Sequence, residues 1–159
     1  MKQKELARYL KAILLLAALI GVWLCVFAAP RLGENVVEQY PECRYLLFPF
    51  LAFLWVTAIP VYTALWQAWR IVCNIGNDRS FCEENARRLR TISWLCGMVV
   101  MLYILAAAVL LITGWLNSAV LIAILLVLFI GISLAVAAAC LSHLVEKAAA
   151  LKQENDLTV

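Results

Sequence analysis

Residues 119–142 read AVLIAILLVLFIGISLAVAAACLS and contain no charged side chain. At about 1.5 Å per residue, an α-helix of this length covers the ~30 Å hydrocarbon core of a bilayer. A soluble domain of 159 residues could not hide such runs, because most of its chain must face water. We therefore expect this stretch to cross a membrane.

Three further apolar stretches, at residues 10–29, 45–72 and 92–115, are long enough to do the same. The whole chain is 66% hydrophobic and 14% charged, whereas soluble domains are nearer ~45–50% and ~25%. Only Leu116-Asn117-Ser118 separates the last two stretches, so these two helices should be antiparallel neighbours. The predicted fold is all-α: an integral membrane four-helix bundle that forms a single transmembrane domain over residues 1–159.

The first two spans carry features with alternative interpretations. Lysines, an apolar stretch and Val26-Phe27-Ala28 resemble a cleavable signal peptide. The stretch is longer than the usual ~7–15 residues, and three spans follow it, which favours a membrane span that ends at Pro30. In the second span, Pro60 should kink the helix, and a packing kink is favoured over a gating hinge.

The distribution of Lys and Arg predicts the orientation, because cytoplasmic loops are enriched in these residues. With four spans, the N-terminus, the loop at residues 73–91 and the tail at residues 143–159 share one side. The other side holds only Arg31 and Arg44. The shared side, which we expect to be cytoplasmic, holds Lys2, Lys4, Arg8, Lys11, Arg70, Arg79, Arg87, Arg88, Arg90, Lys147 and Lys152.

The cytoplasmic loop carries signals of ordered structure. Gly76-Asn77-Asp78 is typical of a turn. Ser80 precedes Glu83 by three residues, which indicates a capping box and a helix that begins at Phe81. The basic residues that follow fit both a solvated collar touching anionic lipid headgroups and a protein-docking surface.

The tail should continue the fourth span as a helix through Leu144, Ala148 and Leu151. The final Leu157-Thr158-Val159 then favours an extended strand, which could add to a sheet edge or pack on the loop. A disordered end is the alternative.

Small residues recur on one face of two spans and allow close helix approach. Gly131, Ala135 and Ala139 share a face of the fourth span, and Ala17 and Gly21 share a face of the first. Tight packing inside the bundle is the expected role. A seam between two copies of the chain is the alternative.

The cysteines and the single histidine do not form a recognisable site. A disulfide between Cys25 and Cys43 is conceivable on an oxidising side. The remaining cysteines lack a CxxC pair, so packing is favoured over a metal site. His143 is interpreted as an interfacial histidine, and a pH sensor is the alternative. The four other cysteines are Cys73, Cys82, Cys96 and Cys140.

Charged residues are absent from the middle of every span, which argues against an ion-coupled transporter, since such charges survive mainly where transport needs them. No nucleophile, base and orienting acid can be assembled on one side of the membrane, and no phosphate-binding glycine loop is present. We expect no enzymatic activity, no catalytic residues, no metal and no cofactor.

Two segments resemble a known bacterial family of four-span membrane proteins, catalogued as domain of unknown function 2975. The loop motif is Asn77-Asp78-Arg79-Ser80-Phe81-Cys82-Glu83-Glu84-Asn85, and the tail motif is residues 150–159, ALKQENDLTV. The resemblance covers nearly the whole chain. It implies no catalytic residues, and it implies a gene neighbour that encodes a small helix-turn-helix protein of the Cro/CI type.

These observations lead to one functional hypothesis and two alternatives. The leading hypothesis is a non-enzymatic component of a regulatory pair in the bacterial plasma membrane, which docks the helix-turn-helix protein and does not itself bind nucleic acid. The alternatives are a small transporter or permeability protein for an apolar compound, acting as an oligomer, and a membrane scaffold. The predicted docking residues are Asn77, Ser80, Phe81, Glu83, Asn85, Arg87 and Arg88 in the loop, and Glu154, Asn155, Asp156, Leu157 and Thr158 in the tail.

Overall fold

The structure is a computed structural model that describes residues 3–39, 41, 44–77, 80–116 and 118–157. Four of its helices are long and apolar enough to cross a membrane, which confirms the predicted all-α membrane fold. The elements are α1 (Gln3–Trp23), a π-helical turn (Leu24–Ala28), α2 (Ala29–Gln39), α3 (Arg44–Gly76), α4 (Glu83–Ile112) and α5 (Ser118–Leu157).

The four long helices form an open row in the order α1, α3, α4, α5. Among the described residues, Cα atoms within 8 Å link each helix to the next, whereas α1 has no such contact with α4 or α5. The two outer helices of the row are therefore packed on one side only. Most large apolar side chains are exposed in the isolated chain, as expected for helices whose solvent is lipid.

The first helix does not stop at Pro30, so that prediction is wrong. The turn before Pro30 is π-helical, and the Ala29 N–H donates to the Leu24 carbonyl five residues back. Proline has no N–H, and its ring clashes with the carbonyl four residues before it in a regular α-helix. The wider turn accommodates this ring, and helical structure continues to Gln39.

The α4–α5 pair is the predicted antiparallel neighbour pair. The Ser93 hydroxyl donates to the Ala135 carbonyl at 2.8 Å, and the Ser142 hydroxyl donates to the Ala86 carbonyl at 2.8 Å. Residues at alternating steps of three and four line the seam on both helices, which is the spacing of antiparallel helices that pack in a left-handed pair. They include Ala86, Leu89, Ser93, Cys96 and Val100 on α4, and Gly131, Ala135, Ala138, Ser142 and Ala149 on α5.

The predicted close approach is confirmed at two glycines. A Cβ on Gly131 would lie 2.8 Å from Val100 Cγ2, and a Cβ on Gly21 would lie 2.7 Å from the Tyr62 hydroxyl oxygen. That hydroxyl donates to the Ala18 carbonyl at 2.9 Å and joins α3 to α1. Ala139 is exposed, because the seam on α5 follows Ala138 instead.

Replacing Gly131 with Val should loosen the α4–α5 seam. The new side chain would meet Val100, whose β-branched side chain has little rotamer freedom in a helix. We expect a loss of about 1–3 kcal/mol, the usual effect of overpacking. Thermal unfolding in detergent would measure it as a lower midpoint.

Gly97→Val is the matched control, because nothing lies within 4 Å of a Cβ at Gly97. It makes the same change in helix propensity without the clash. Equal midpoints for the two variants would contradict this seam. The double variant with Gly131→Val and Val100→Ala should recover part of the stability that Gly131→Val loses, because the smaller side chain removes the clash.

Candidate functional site

Most polar contacts between helices lie at one end of the row. At this end, a segment of each long helix contacts a segment of the next helix. The start of α1 contacts the end of α3, since a Cβ on Gly76 would lie 3.2 Å from the Ala7 Cβ. The end of α3 is bonded to the start of α4, and the start of α4 is bonded to α5 through Ser142. We term this the basic end and define it as residues 3–11, 66–77, 80–90 and 142–157.

Asn85 is the centre of this end, with a relative exposure of 1%. Its side-chain oxygen accepts a hydrogen bond from Asn74 Nδ2 at 2.8 Å, and its Nδ2 donates to the Ser80 carbonyl at 3.0 Å. One side chain thus holds the end of α3, the connecting segment and the first turn of α4. A buried amide with these bonds fixes a unique geometry, because any rearrangement would leave polar groups unpaired.

The predicted cap of α4 is wrong. The helix begins at Glu83 and not at Phe81, and its N-cap is Cys82 with no side-chain hydrogen bond. The Cys82 carbonyl accepts hydrogen bonds from the backbone N–H groups of Asn85 and Ala86. Ser80 contributes its carbonyl to Asn85 instead of its hydroxyl to a cap.

A second polar link joins α3 and α4. Arg88 donates to Gln67 Oε1 at 2.7 Å and also to Glu84, four residues earlier on α4. The hydrogen bond from Arg88 and its positive charge lower the pKa of Glu84, with smaller contributions in the same direction from Asn74 and Arg70. Glu84 precedes the apolar part of α4, and its negative charge also suits a helix N-terminus.

The predicted loop residues divide into two groups. Asn85 is buried, and Ser80 and Arg88 are half-buried within the α3–α4 link. The exposed residues are Asn77, Phe81, Glu83 and Arg87. Arg87 pairs with Glu83 at 2.6 Å but keeps 77% of its side chain exposed. Only the exposed group offers a surface to a partner.

The tail continues α5 as a helix to Leu157, so the predicted strand is wrong at that residue. Glu154 and Asn155 are exposed, Asp156 and Leu157 belong to the helix, and Thr158 lies outside the described residues. The Ser142–Ala86 and Ser93–Ala135 pairs place residue 145 level with Glu83. Glu154 therefore lies about 13 Å farther along α5, and up to Leu157 the tail continues in the direction of this helix.

The thiols behave as separate groups in the part of the chain that the structure describes, where no cluster of three metal-ligating side chains occurs. Cys25 is a free thiol, and Cys43 lies outside the described residues. Cys96 lies at the α4–α5 seam and Cys140 is exposed.

Sequence reasoning missed Gln67 and Asn74 on α3 and Ser142 on α5, all of which make interhelical hydrogen bonds. A signal was present for the first two. Gln67 and Asn74 are seven residues apart and therefore share a face of an otherwise apolar helix. Nothing in the sequence pairs either with its partner on α4.

The geometry defines a polytopic α-helical membrane protein with an ordered polar end. Comparison with known proteins identifies the group: the chain belongs to the family described as Protein of unknown function (DUF2975), whose model matches residues 31–159. The chain is also 30% identical over 153 residues to the uncharacterized membrane protein YoaS of Bacillus subtilis (strain 168), covering 95% of this chain and 96% of that protein. No solved structure matches. The resemblance seen in the loop and tail motifs is thereby confirmed.

Asn85→Ala should destabilise the basic end, because it leaves the Asn74 amide and the Ser80 carbonyl without this partner. We expect a loss of about 1–3 kcal/mol. The variant should show a lower thermal midpoint in detergent and faster proteolysis within residues 77–82. Asn77→Ala, which truncates an exposed amide in the same segment, is the control. Equal effects of both substitutions would contradict the role given to Asn85.

Proposed function

We propose that this chain is a non-enzymatic component of a regulatory pair in the bacterial plasma membrane, with both termini in the cytoplasm. Its basic end would hold a small helix-turn-helix transcription regulator and keep it away from DNA. One observation carries the proposal. The basic end, which has the excess of Lys and Arg, presents an ordered and exposed protein surface.

Two parts of this end are exposed on the surface. Phe81 is 58% exposed although it is a large aromatic residue next to a buried amide, and Arg87 near the start of α4 is exposed as well. The last turns of α5 extend beyond the start of α4 and carry Glu154 and Asn155 on the surface. Aromatic and Arg side chains are the residue types that most often anchor protein interfaces.

A route for regulation follows from the Asn74–Asn85 bond. A shift of α3 within the membrane would move Asn74, and Asn74 is bonded directly to the residue that holds the Ser80–Cys82 segment. The position of Phe81 would then depend on the packing of α3. A signal that changes this packing would alter the docking surface without any chemical step.

The orientation can be tested with reporters fused to the two termini. We expect fusions after Met1 and after Val159 to give fluorescent GFP and inactive alkaline phosphatase, as cytoplasmic ends do. A phosphatase inserted between Ile112 and Ser118 should be active. Active phosphatase at either terminus would contradict the proposed orientation.

Docking can be tested by photo-crosslinking in the native host. A crosslinking amino acid at Phe81 or Gln153 should capture a small helix-turn-helix protein, whereas the same probe at Ile112, exposed at the opposite end, should not. Replacing Glu154, Asn155 and Asp156 with Ala should reduce capture and change expression of the regulator's target genes. Unchanged capture and unchanged expression would remove the tail from the proposal.

The transporter alternative requires several copies of the chain, because the outer helices α1 and α5 have no contact among the described residues. Size measurement in a gentle detergent distinguishes the two functions. A ring-like oligomer with a polar seam would favour transport, and a monomer or dimer would favour the regulatory function.

A further inference from the structure

A cleft of about 360 Å³ lies between the start of α1 and the end of α3. Three of its lining residues are cations, and in the described part of the chain no carboxylate lines it. Lys4, Arg8 and Lys11 follow one another at steps of four and three and therefore share a face of α1. The remaining lining residues are Ala7, Cys73, Gly76 and Asn77.

The helix contact at the base of the cleft is tight. Ala7 is 4% exposed, and it sits against Gly76, which has no side chain to fill the space. The Lys11 ammonium lies 5.7 Å from the centroid of the Trp69 ring, which holds this cation beside α3. Lys11 is thus held beside α3, and the exposed Lys4 and Arg8 line the same cleft.

An apolar groove of about 490 Å³ lies farther along α3, lined by Ala58, Ile59, Tyr62, Thr63 and Trp66. Residues 59, 62, 66, 73 and 77 recur at spacings of three, four and seven, so the groove and the cleft lie along one face of α3. From Tyr62 to Gly76 the helix rises about 20 Å, comparable with the ~15 Å depth of one leaflet's acyl region.

We propose that this face binds one anionic glycerophospholipid, with its phosphate in the cleft beside Lys4, Arg8 and Lys11 and an acyl chain along the groove. Basic pockets between membrane helices recognise lipid phosphates in this way. The apolar groove favours a lipid as the ligand, because a soluble phosphate would contact only the cleft. This inference does not rest on the proposed regulatory function.

The test is a titration of the full-length protein with phosphatidylglycerol in a neutral detergent, followed by native mass spectrometry. Lys4→Gln combined with Arg8→Gln leaves the Lys11–Trp69 contact intact. It should weaken binding about 30-fold, because each interfacial cation contributes about fivefold. Lys147→Gln combined with Lys152→Gln removes the same charge from exposed positions on α5 and should have little effect.

The groove is tested separately by Thr63→Trp, which would fill it, against Val61→Trp on another face of α3. Both positions are exposed, so neither variant should unfold the protein. Thr63→Trp should weaken phosphatidylglycerol binding, and Val61→Trp should not.

Three outcomes would overturn the proposal. Equal losses in the two charge variants would indicate diffuse attraction to any anionic surface. If phosphatidylcholine bound as tightly as phosphatidylglycerol, the cations would not contribute to recognition of the lipid. Displacement of the lipid by millimolar inorganic phosphate, together with no effect of Thr63→Trp, would indicate a soluble anion as the ligand.

Discussion

Each helix contact in the row is joined by a side chain that donates a hydrogen bond to its neighbour. Tyr62 bonds α3 to α1, Asn74 and Arg88 join α3 and α4, and Ser93 and Ser142 bond the two last helices. In lipid the hydrophobic effect does not hold helices together, so packing and such bonds must do so. Each bond is worth only about 0.6 kcal/mol on average, but each also specifies which residues lie opposite one another. The small residues beside them, Gly21 and Gly131, permit the close approach that the bonds require.

The bonds are distributed unequally along the helices. In the apolar part they are single hydroxyl-to-carbonyl bonds, which leave no charge in the membrane. At the basic end they become a network, in which Asn74 bonds both Asn85 and Glu84, and Arg88 bonds both Glu84 and Gln67. The basic end is thus the most specifically organised region of the row, and it contains the loop motif at residues 77–85. Asn85 within this motif is buried, so part of the motif serves to build the end of the row.

The fold was predictable because the bilayer imposes length and composition on every helix, and these are visible in the sequence. The four spans follow from the four apolar stretches, and the antiparallel last pair follows from the three-residue connection. The errors lie where local patterns compete with tertiary contacts. Ser80 has the spacing of a cap, but Asn85 recruits its carbonyl and moves the helix start to Glu83. Pro30 has the sequence of a helix end, but a π-helical turn accommodates it. Leu157 has strand propensity, but it follows some 39 helical residues that extend the helix at little further loss of entropy.

The candidate site could be predicted only as a region, since its partners are far apart in sequence. Gln67 and Arg88, or Ala86 and Ser142, meet through the packing of whole helices, and no local pattern encodes that. The open row adds a further consequence. Among the described residues, α3 is the only other long helix that α1 contacts, and Lys4 and Arg8 on the basic face of α1 are exposed. The same arrangement leaves the α4–α5 seam on the opposite side of α3. A single helix, α3, therefore lines the cleft that holds the cations of α1 and also bonds to the polar network at the start of α4. A change in the position of α3 in the bilayer would therefore alter both the cleft beside α1 and the polar network at the start of α4.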